Sequence, residues 1–381
     1  MRIASFNVEN LFERARALNQ DEWMNDPGPD PSRWSAGRAA LDGYAQLNTL
    51  LSKQVYSTAD KAAIVDLLRS LGLEKSDESN LVILRKNKGA LLKRPRTGGI
   101  QIVANGRGDW IGWLELKKEA VEEVATENTA RVLRDVAADV VVVVEAENRT
   151  SLCRFNEQVL SKVGVRSYDH VMLIDGNDER GIDVGLMTRS SAELEAIRSH
   201  VDDRIGARKI FSRDCPEFHL KLASGEKMVI LANHLKSKGH GDPAQSSARR
   251  REQAGRVREI YEGLKAAGVS HVVVAGDLND TPDSPALAPL IADGSDLRDI
   301  STLPNFDDGG RPGTYGNCTK GNKIDYLLFS PALAQKVTRG GIFRRGVWGG
   351  KNGTLWDIFP EMKAAHQAAS DHAAIWADLD L

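Results

Sequence analysis

Short apolar runs alternate with amphipathic segments along this chain, and together they predict a mixed α/β fold. Eight runs of five to seven residues are rich in Val, Ile, Leu and Ala, which is typical of buried strands. They are Arg2–Val8, Val140–Glu145, His170–Ile174, Val184–Thr188, Met228–His234, Val272–Asp277, Lys323–Phe329 and Ala373–Leu379. Apolar residues at helical spacing predict helices near 60–71, 121–136 and 254–264. Strands and helices mixed over this length indicate packed α/β layers.

Polar residues repeatedly stand where a predicted strand meets a loop. In the segment HVVVAGDLNDTPDSPAL, for example, Asp277 and Asn279 follow directly after an apolar run. One such pair is more often a turn cap than part of a site. The pattern recurs, however, at Asn7, Glu9, Glu145, His234, Asp277, Asn279, Asp325, Asp371 and His372. Strand ends hold side chains rigidly at the rim of a sheet, so the recurrence predicts one preorganised site.

The order of these motifs resembles that of the endonuclease/exonuclease/phosphatase superfamily. The triplets IDY and SDH and the run GDLN occur in the superfamily's order, and the resemblance spans nearly the whole chain. The runs NHLKSKG and EAEN are most similar to extracellular bacterial nucleases of this superfamily. The resemblance implies a four-layer α/β sandwich, in which two mixed β-sheets pack face to face and are flanked by helices.

The resemblance also implies a metal site. Glu145 is expected to be the central ligand, with Asn7 and Asp371 beside it. Such hard oxygen ligands suit Mg²⁺, and also Mn²⁺ or Ca²⁺. Glu9 is a possible secondary ligand, because some members of the superfamily have Asp two residues after the asparagine.

The other matching residues are expected to carry the reaction. Asp277 would orient or deprotonate the attacking water, and Asn279 would donate to a phosphate oxygen. Asp325 would fix the ring of His372, which would contact the phosphate or act as a base. His234 could protonate the leaving oxygen.

Arg180 is a further candidate, because an arginine can hold a phosphate with both arms of its guanidinium. A surface salt bridge is the other explanation for Arg180. Asp183, at the start of the next strand, is a possible secondary site residue.

The spacing of the motifs predicts a single domain, 1–381, with an insertion at about 13–118. Asn7 and Glu145 lie 138 residues apart, which is far more than is usual in the superfamily. Within the insertion, residues 99–106 and 109–116 are expected to form a hairpin around NGRGD. Trp110 and Trp113 are expected to share one face of this hairpin, where they either stack on bases or pack in a core.

Composition narrows the setting without choosing a substrate. The chain has 381 residues, of which 41% are hydrophobic, and its net charge of −2 argues against a protein that coats polyanions generally. Its three widely spaced cysteines show no disulfide framework, and no apolar run approaches the ~20 residues of a membrane span. The N-terminal MRIASFNVENLF lacks a signal-peptide core, so a cytoplasmic location is expected.

Nucleic acid, with DNA favoured, is the expected substrate and partner. The nuclease-like motifs are the main reason, and two basic segments, Arg85–Arg96 and Arg249–Arg258, could neutralise backbone phosphates or could be solvated surfaces. No base-reading module is recognisable, so weak sequence selectivity is expected. The alternatives are a phosphatase or phosphodiesterase acting on inositol phosphate, sugar phosphate or phospholipid head groups, and a non-catalytic binding scaffold. No oligomeric state is predicted.

Overall fold

A computed structural model describes residues 1–11, 36–117, 123–178, 181–238, 242–292 and 294–381. The chain divides into two compact units, a larger one made of Met1–Phe12 and Val121–Leu381 and a smaller one made of Glu13–Ala120. That the smaller unit is an insertion into a single domain stays a prediction.

The larger unit contains two large mixed sheets in its described part. The first has seven strands in the spatial order Phe306–Asp307, Val337–Phe343, Ala374–Leu379, Arg2–Leu11, Val140–Ala146, Asp183–Thr188 and His170–Ile174. The second has six strands in the order Arg298–Asp299, Asp325–Phe329, His271–Asp277, Lys227–His234, Glu217–Leu222 and Ala192–Arg198. Every one of the eight predicted strands is confirmed, to within two residues at nearly every end.

Helices cover the outer faces of both sheets. The α-helices are Glu123–Val136, Arg149–Arg154, Pro243–Ala266, Ala288–Ile291 and Pro331–Ala334. One-turn helical segments are Phe155–Val159, Leu160–Val163, Ile300–Thr302, Lys320–Asn322 and Ala365–Gln367. The longest helix begins where the Asp242 side chain accepts a hydrogen bond from the Gln245 N–H at 2.8 Å, with Pro243 in the first turn.

The core of the larger unit lies between and outside the sheets, which gives four layers. Val142 of the first sheet packs with Ile230 and Val273 of the second, so the sheets face each other. The next residue along the strand, Val143, points to the other face of the sheet and packs with Leu133 of the helix Glu123–Val136. A strand with both faces covered reads as a continuous apolar run, which is why the sequence pattern was informative here. The predicted four-layer α/β sandwich is confirmed.

The smaller unit has its own core and its own small sheets. Its described elements are the helices Ala36–Leu51 and Thr58–Ser70 and the strands Val82–Gly89, Leu92–Lys93, Gln101–Ile102 and Trp110–Leu116. The predicted helix near 60–71 is confirmed; it is followed by Gly72 at φ 74°.

The hairpin predicted around NGRGD is wrong. Trp110–Leu116 is a strand, but it pairs with Val82–Gly89, while Gln101–Ile102 pairs with Leu92–Lys93. The expectation that Trp110 and Trp113 share a face is also wrong, because residues three apart in a strand point to opposite sides. Trp110 is 1% exposed and Trp113 is 47% exposed.

None of the described helices combines the length and the apolar character that a membrane crossing requires.

Candidate active site

Neighbouring strand ends bring most of the predicted site residues to one cleft of the larger unit. In the second sheet, His234 stands opposite Asp277 on the adjacent strand, and Asp277 stands opposite Asp325 on the next. The cleft encloses about 430 Å³, and the predicted residues that line it are Glu9, Glu145, His234, Asp277, Asn279, Asp371 and His372. Asn7 and Asp325 are buried and contact these residues through hydrogen bonds.

Asp325 and His372 form a close, buried pair. The Nδ1 of His372 lies 2.8 Å from Oδ2 of Asp325, which fixes the ring. Burial opposes the charged form of His372, but the neighbouring carboxylates, Asp325 foremost, outweigh burial and raise the pKa of His372 well above its ordinary value. The other ring nitrogen, Nε2, is 3.5 Å from the amide nitrogen of Asn7 and 3.7 Å from Asp371 Oδ1.

Asp277 occupies the middle of the site. Its Oδ2 is 3.7 Å from His234 Nε2 and 3.9 Å from His372 Nε2. Its Oδ1 accepts a hydrogen bond from the Asn279 N–H at 2.8 Å. Burial, followed by repulsion from Asp325, raises the pKa of Asp277 to about 8.

A second carboxyl pair, Glu9 and Asp371, stands at one wall of the cleft. The Asp371 N–H donates to Glu9 Oε2 at 3.0 Å. Burial and the charge of Asp371 raise the pKa of Glu9 to about 7, and burial also raises the pKa of Asp371. The Asn7 side-chain oxygen accepts from the Glu9 N–H at 3.2 Å.

Three residues of the site hold unusual backbone conformations. Glu9, Glu145 and Asn279 have φ values of 34°, 67° and 56°, in the left-handed region that side-chain-bearing residues rarely adopt. Such strain is concentrated at functional sites, where the surrounding fold holds a side chain in a required direction. Sequence reasoning gave no sign of it.

The described carboxylates and imidazoles fit a hard divalent cation. Glu145, His234 and Asp277 each place a ligand atom within 4.8 Å of the other two, and Asp277, Asp325 and His372 do the same. Burial first, and neighbouring carboxylates second, raise the pKa of Glu9 and of Asp277, and a bound cation would offset both effects. Oxygen donors predominate, which suits Mg²⁺, Mn²⁺ or Ca²⁺.

Of the remaining predicted site residues, one lies outside the described residues and one is not among those that line the cleft. Arg180 lies outside the described residues, so its predicted phosphate contact stays a prediction. Asp183 is buried, and its Oδ1 accepts from the Gly176 N–H at 2.7 Å, which holds the connection between two strands. Burial raises the pKa of Asp183 to about 7.

Seven lining residues were missed from the sequence, and three of them carry a charge or an aromatic ring. Arg213 is buried, and its Nε lies 2.7 Å from the Asp178 carboxylate. Lys238 has a half-exposed side chain that pairs with Asp280. Tyr315 packs its ring 4.9 Å from that of His372. Lys238 could have been found, because it belongs to the motif NHLKSKG; the other two come from loops without a pattern.

The chain belongs to the Endonuclease/Exonuclease/phosphatase family, whose sequence profile matches residues 106–340. The matched range includes Glu145, His234, Asp277, Asn279 and Asp325 and ends before Asp371 and His372. No curated protein matches the chain in a sequence comparison.

Several solved structures are similar to this chain. A mannosyl-6-phosphatase from Bacteroides thetaiotaomicron is 16% identical, with a TM-score of 0.50 over 68% of this chain and 91% of that one. An endonuclease/exonuclease/phosphatase family protein from the same species is 16% identical, with a TM-score of 0.49 over 66% and 85%. Truncated TDP2 from Caenorhabditis elegans is 16% identical, with a TM-score of 0.47 over 67% and 89%. At such low sequence identities, similarity to a solved structure is informative about the fold and does not indicate an activity.

Proposed function

We propose that this protein is a divalent-metal-dependent phosphodiesterase that hydrolyses nucleic acid, with DNA the favoured substrate and weak sequence selectivity. The observation that carries the proposal is the convergence of a buried Asp325–His372 pair with the carboxylates of Asp277 and Glu145 on one open cleft. A phosphate group in this cleft meets a charged imidazole on one side and metal-binding carboxylates on the other. That combination supplies the charge stabilisation that phosphoryl displacement requires.

Glu145, Asp371 and Asn7 would hold the metal ion. When bound, the cation polarises the phosphoryl oxygens and offsets the charge that develops on them. Because the Asn7 oxygen accepts from the Glu9 N–H, Asn7 can also act by orienting the end of the strand that carries Glu9. Mg²⁺ is the favoured ion, and Mn²⁺ or Ca²⁺ could replace it.

The remaining side chains act on the water and on the phosphate. Asp277, buried and with a raised pKa, is suited to accept a proton from the attacking water. The charged His372 contacts the phosphate, with Asp325 keeping its ring in place. His234, whose Nε2 lies 3.7 Å from Asp277 Oδ2, would protonate the leaving oxygen. Asn279 donates to a phosphate oxygen.

A half-exposed cation beside the catalytic centre favours a polyanionic substrate. Lys238 lines the same cleft as Asn279, and its side chain can approach a phosphate next to the one that reacts, whereas Arg213 is buried against Asp178. The similarity of NHLKSKG and EAEN to nuclease motifs points the same way. The second candidate is a phosphatase acting on a sugar phosphate, because the family includes phosphatases and a mannosyl-6-phosphatase shares the fold.

An activity panel tests the proposal. The full chain is assayed with Mg²⁺, Mn²⁺ or Ca²⁺, and with EDTA as the control, on plasmid DNA, single-stranded DNA, RNA, sphingomyelin, inositol phosphates and a bis-aryl phosphodiester. We expect metal-dependent cleavage of the DNA substrates and of the bis-aryl diester, and loss of both in EDTA. Turnover of monoesters alone would instead establish the phosphatase.

A further inference from the structure

A two-stranded ribbon in the smaller unit presents one face to its core and one face outward. The ribbon consists of Val82–Gly89 paired with Trp110–Leu116. Leu84 and Leu114 face the core, whereas Trp113, on the other face, is 47% exposed. Part of this indole is therefore open to solvent, where another flat ring can stack on it.

A shift in strand register places cations around this indole. Arg85 stands directly opposite Trp113. After the irregularity between Lys86 and Lys88, Lys88 stands opposite Ile111, two residues from Trp113 on the same strand. Lys88 therefore shares the outward face with Trp113, as its diagonal neighbour.

Some cations of this region form ion pairs within the protein and others do not. Arg85 pairs with Glu115 at 2.9 Å, and Arg94 pairs with Asp77 at 2.7 Å. No acidic side chain among the described residues pairs with the exposed cations Lys86, Lys88, Lys93 and Arg96. Within the part of the chain that the structure describes, these four cations can therefore meet an external anion.

The smaller unit is basic although the chain is not. The smaller unit, Glu13–Ala120, has seventeen Lys and Arg residues and fourteen Asp and Glu residues, a net charge of +3, whereas the whole chain has a net charge of −2. This asymmetry concentrates positive potential on the unit that bears the exposed indole.

The second basic segment of the sequence offers no such surface. Arg250 is 2% exposed and pairs with Asp280, Arg256 pairs with Asp203, and Arg258 pairs with Glu262. The positive charges of these arginines are therefore already paired with carboxylates of the protein.

We propose that the outward face of the ribbon binds single-stranded nucleic acid, with a base stacked on Trp113 and backbone phosphates at Lys88 and the adjacent lysines. The proposal rests on the proposed function only in taking nucleic acid as the substrate class. A single strand is the partner that fits, because an unpaired base offers its ring face to an indole while a duplex hides it. Stacking on one aromatic side chain together with a few phosphate contacts is the usual way in which such strands are held.

Binding of a labelled oligodeoxythymidylate to the full chain in EDTA tests this surface, because cleavage is suppressed there. We expect Trp113→Leu to weaken binding roughly tenfold and Trp113→Phe, which keeps a ring, to weaken it much less. Lys88→Ala should lower the affinity and reduce the slope of log K against log salt by about 0.7. Lys75→Ala removes the same charge from an exposed position of the same unit and is expected to leave both quantities unchanged.

Two results would overturn the proposal. If Trp113→Leu bound the oligonucleotide with wild-type affinity, the indole would have no role in binding. The lysines would then be explained as charges that prevent the exposed strand edge from pairing with another strand. An equal loss of affinity for duplex DNA would mean that no base stacks on the indole. Hydrolysis of the bis-aryl diester separates this surface from the catalytic proposal, because it should be unchanged in Trp113→Leu. If the wild-type protein bound the oligonucleotide through Trp113 and hydrolysed no phosphodiester, the proposed function would fail and the surface would stand.

Discussion

At the scale of single residues, the site is defined by charges held where water cannot screen them. Asp325, Asp277 and His372 are 1%, 2% and 6% exposed. Buried charges survive only when partners compensate them, so each of these groups depends on the others. A substitution that removes one of these groups but keeps a side chain of similar shape should therefore lower activity more than it lowers stability.

Asp277→Asn and His372→Ala are expected to lower the turnover of the bis-aryl diester by at least about a hundredfold, because each removes a proton-transferring or phosphate-contacting group. Asp277→Asn keeps the side-chain shape and relieves a buried carboxyl whose pKa is raised to about 8, so its melting temperature should stay close to that of the wild type. The control is Asp357→Asn, at a side chain that is 85% exposed. Near-normal turnover in either site variant would refute the roles assigned here.

At the scale of secondary structure, the approach of two parallel strands sets the position of Asp277. Gly276 has φ 127° and stands opposite Asn233. A Cβ at this position would lie 1.9 Å from the backbone oxygen of Asn233. Only glycine allows the strands to approach in this way, and the next residue is thereby placed beside His234.

Gly276→Ala is expected to lower the free energy of unfolding by about 2–4 kcal/mol, because backbone must move to admit the methyl group. The matched control is Gly255→Ala in the helix Pro243–Ala266, where no atom lies within 4 Å of an added Cβ. That change should stabilise the protein by about 0.5–1 kcal/mol through helix propensity. Urea unfolding measures both, and equal effects of the two substitutions would contradict the steric argument.

At the scale of the whole molecule, a network of ion pairs joins the second sheet to its covering helix. His200 is buried, with Nε2 2.8 Å from Glu217 and Nδ1 2.9 Å from Asp203. Asp203 in turn pairs with Arg256 of the helix at 2.7 Å. Burial opposes the charge on His200, yet the hydrogen bonds to Glu217 and Asp203 outweigh it and raise the pKa of His200.

His200→Gln should therefore cost stability in a pH-dependent way. Because the pKa of the folded state is above that of the unfolded state, the stabilisation by His200 is complete below about pH 6.5 and is lost as pH rises through the raised value. We expect the variant to be less stable by about 2 kcal/mol at pH 6, with a smaller difference at higher pH. Urea unfolding at several pH values measures this. His219→Gln, at a partly exposed ring on the same glutamate, is the control. A difference that grows with pH would mean that His200 is neutral in the folded protein.

Much of the larger unit could be predicted from the sequence, for a local reason. Strands such as Val140–Ala146 are covered on both faces, so their apolar runs are continuous and easily recognised. The polar residues that end these strands, such as Asp277 and His234, stand out against those runs. In the smaller unit the strands are short and only partly buried, and there the predicted hairpin failed, since pairing of strands depends on contacts that local spacing does not encode.

The amino-acid sequence was enough to indicate which segments become buried strands, which polar residues end them, and the family to which their order belongs. The folded structure was needed to show that Arg213 and Tyr315 line the cleft, that Asp183 is not among the described lining residues, and that Arg250 pairs inside the protein. The physical reason is that burial and charge pairing depend on distances between residues far apart in the chain. A side chain's type is local, but its partner, its pKa and its exposure are set by what the fold brings beside it.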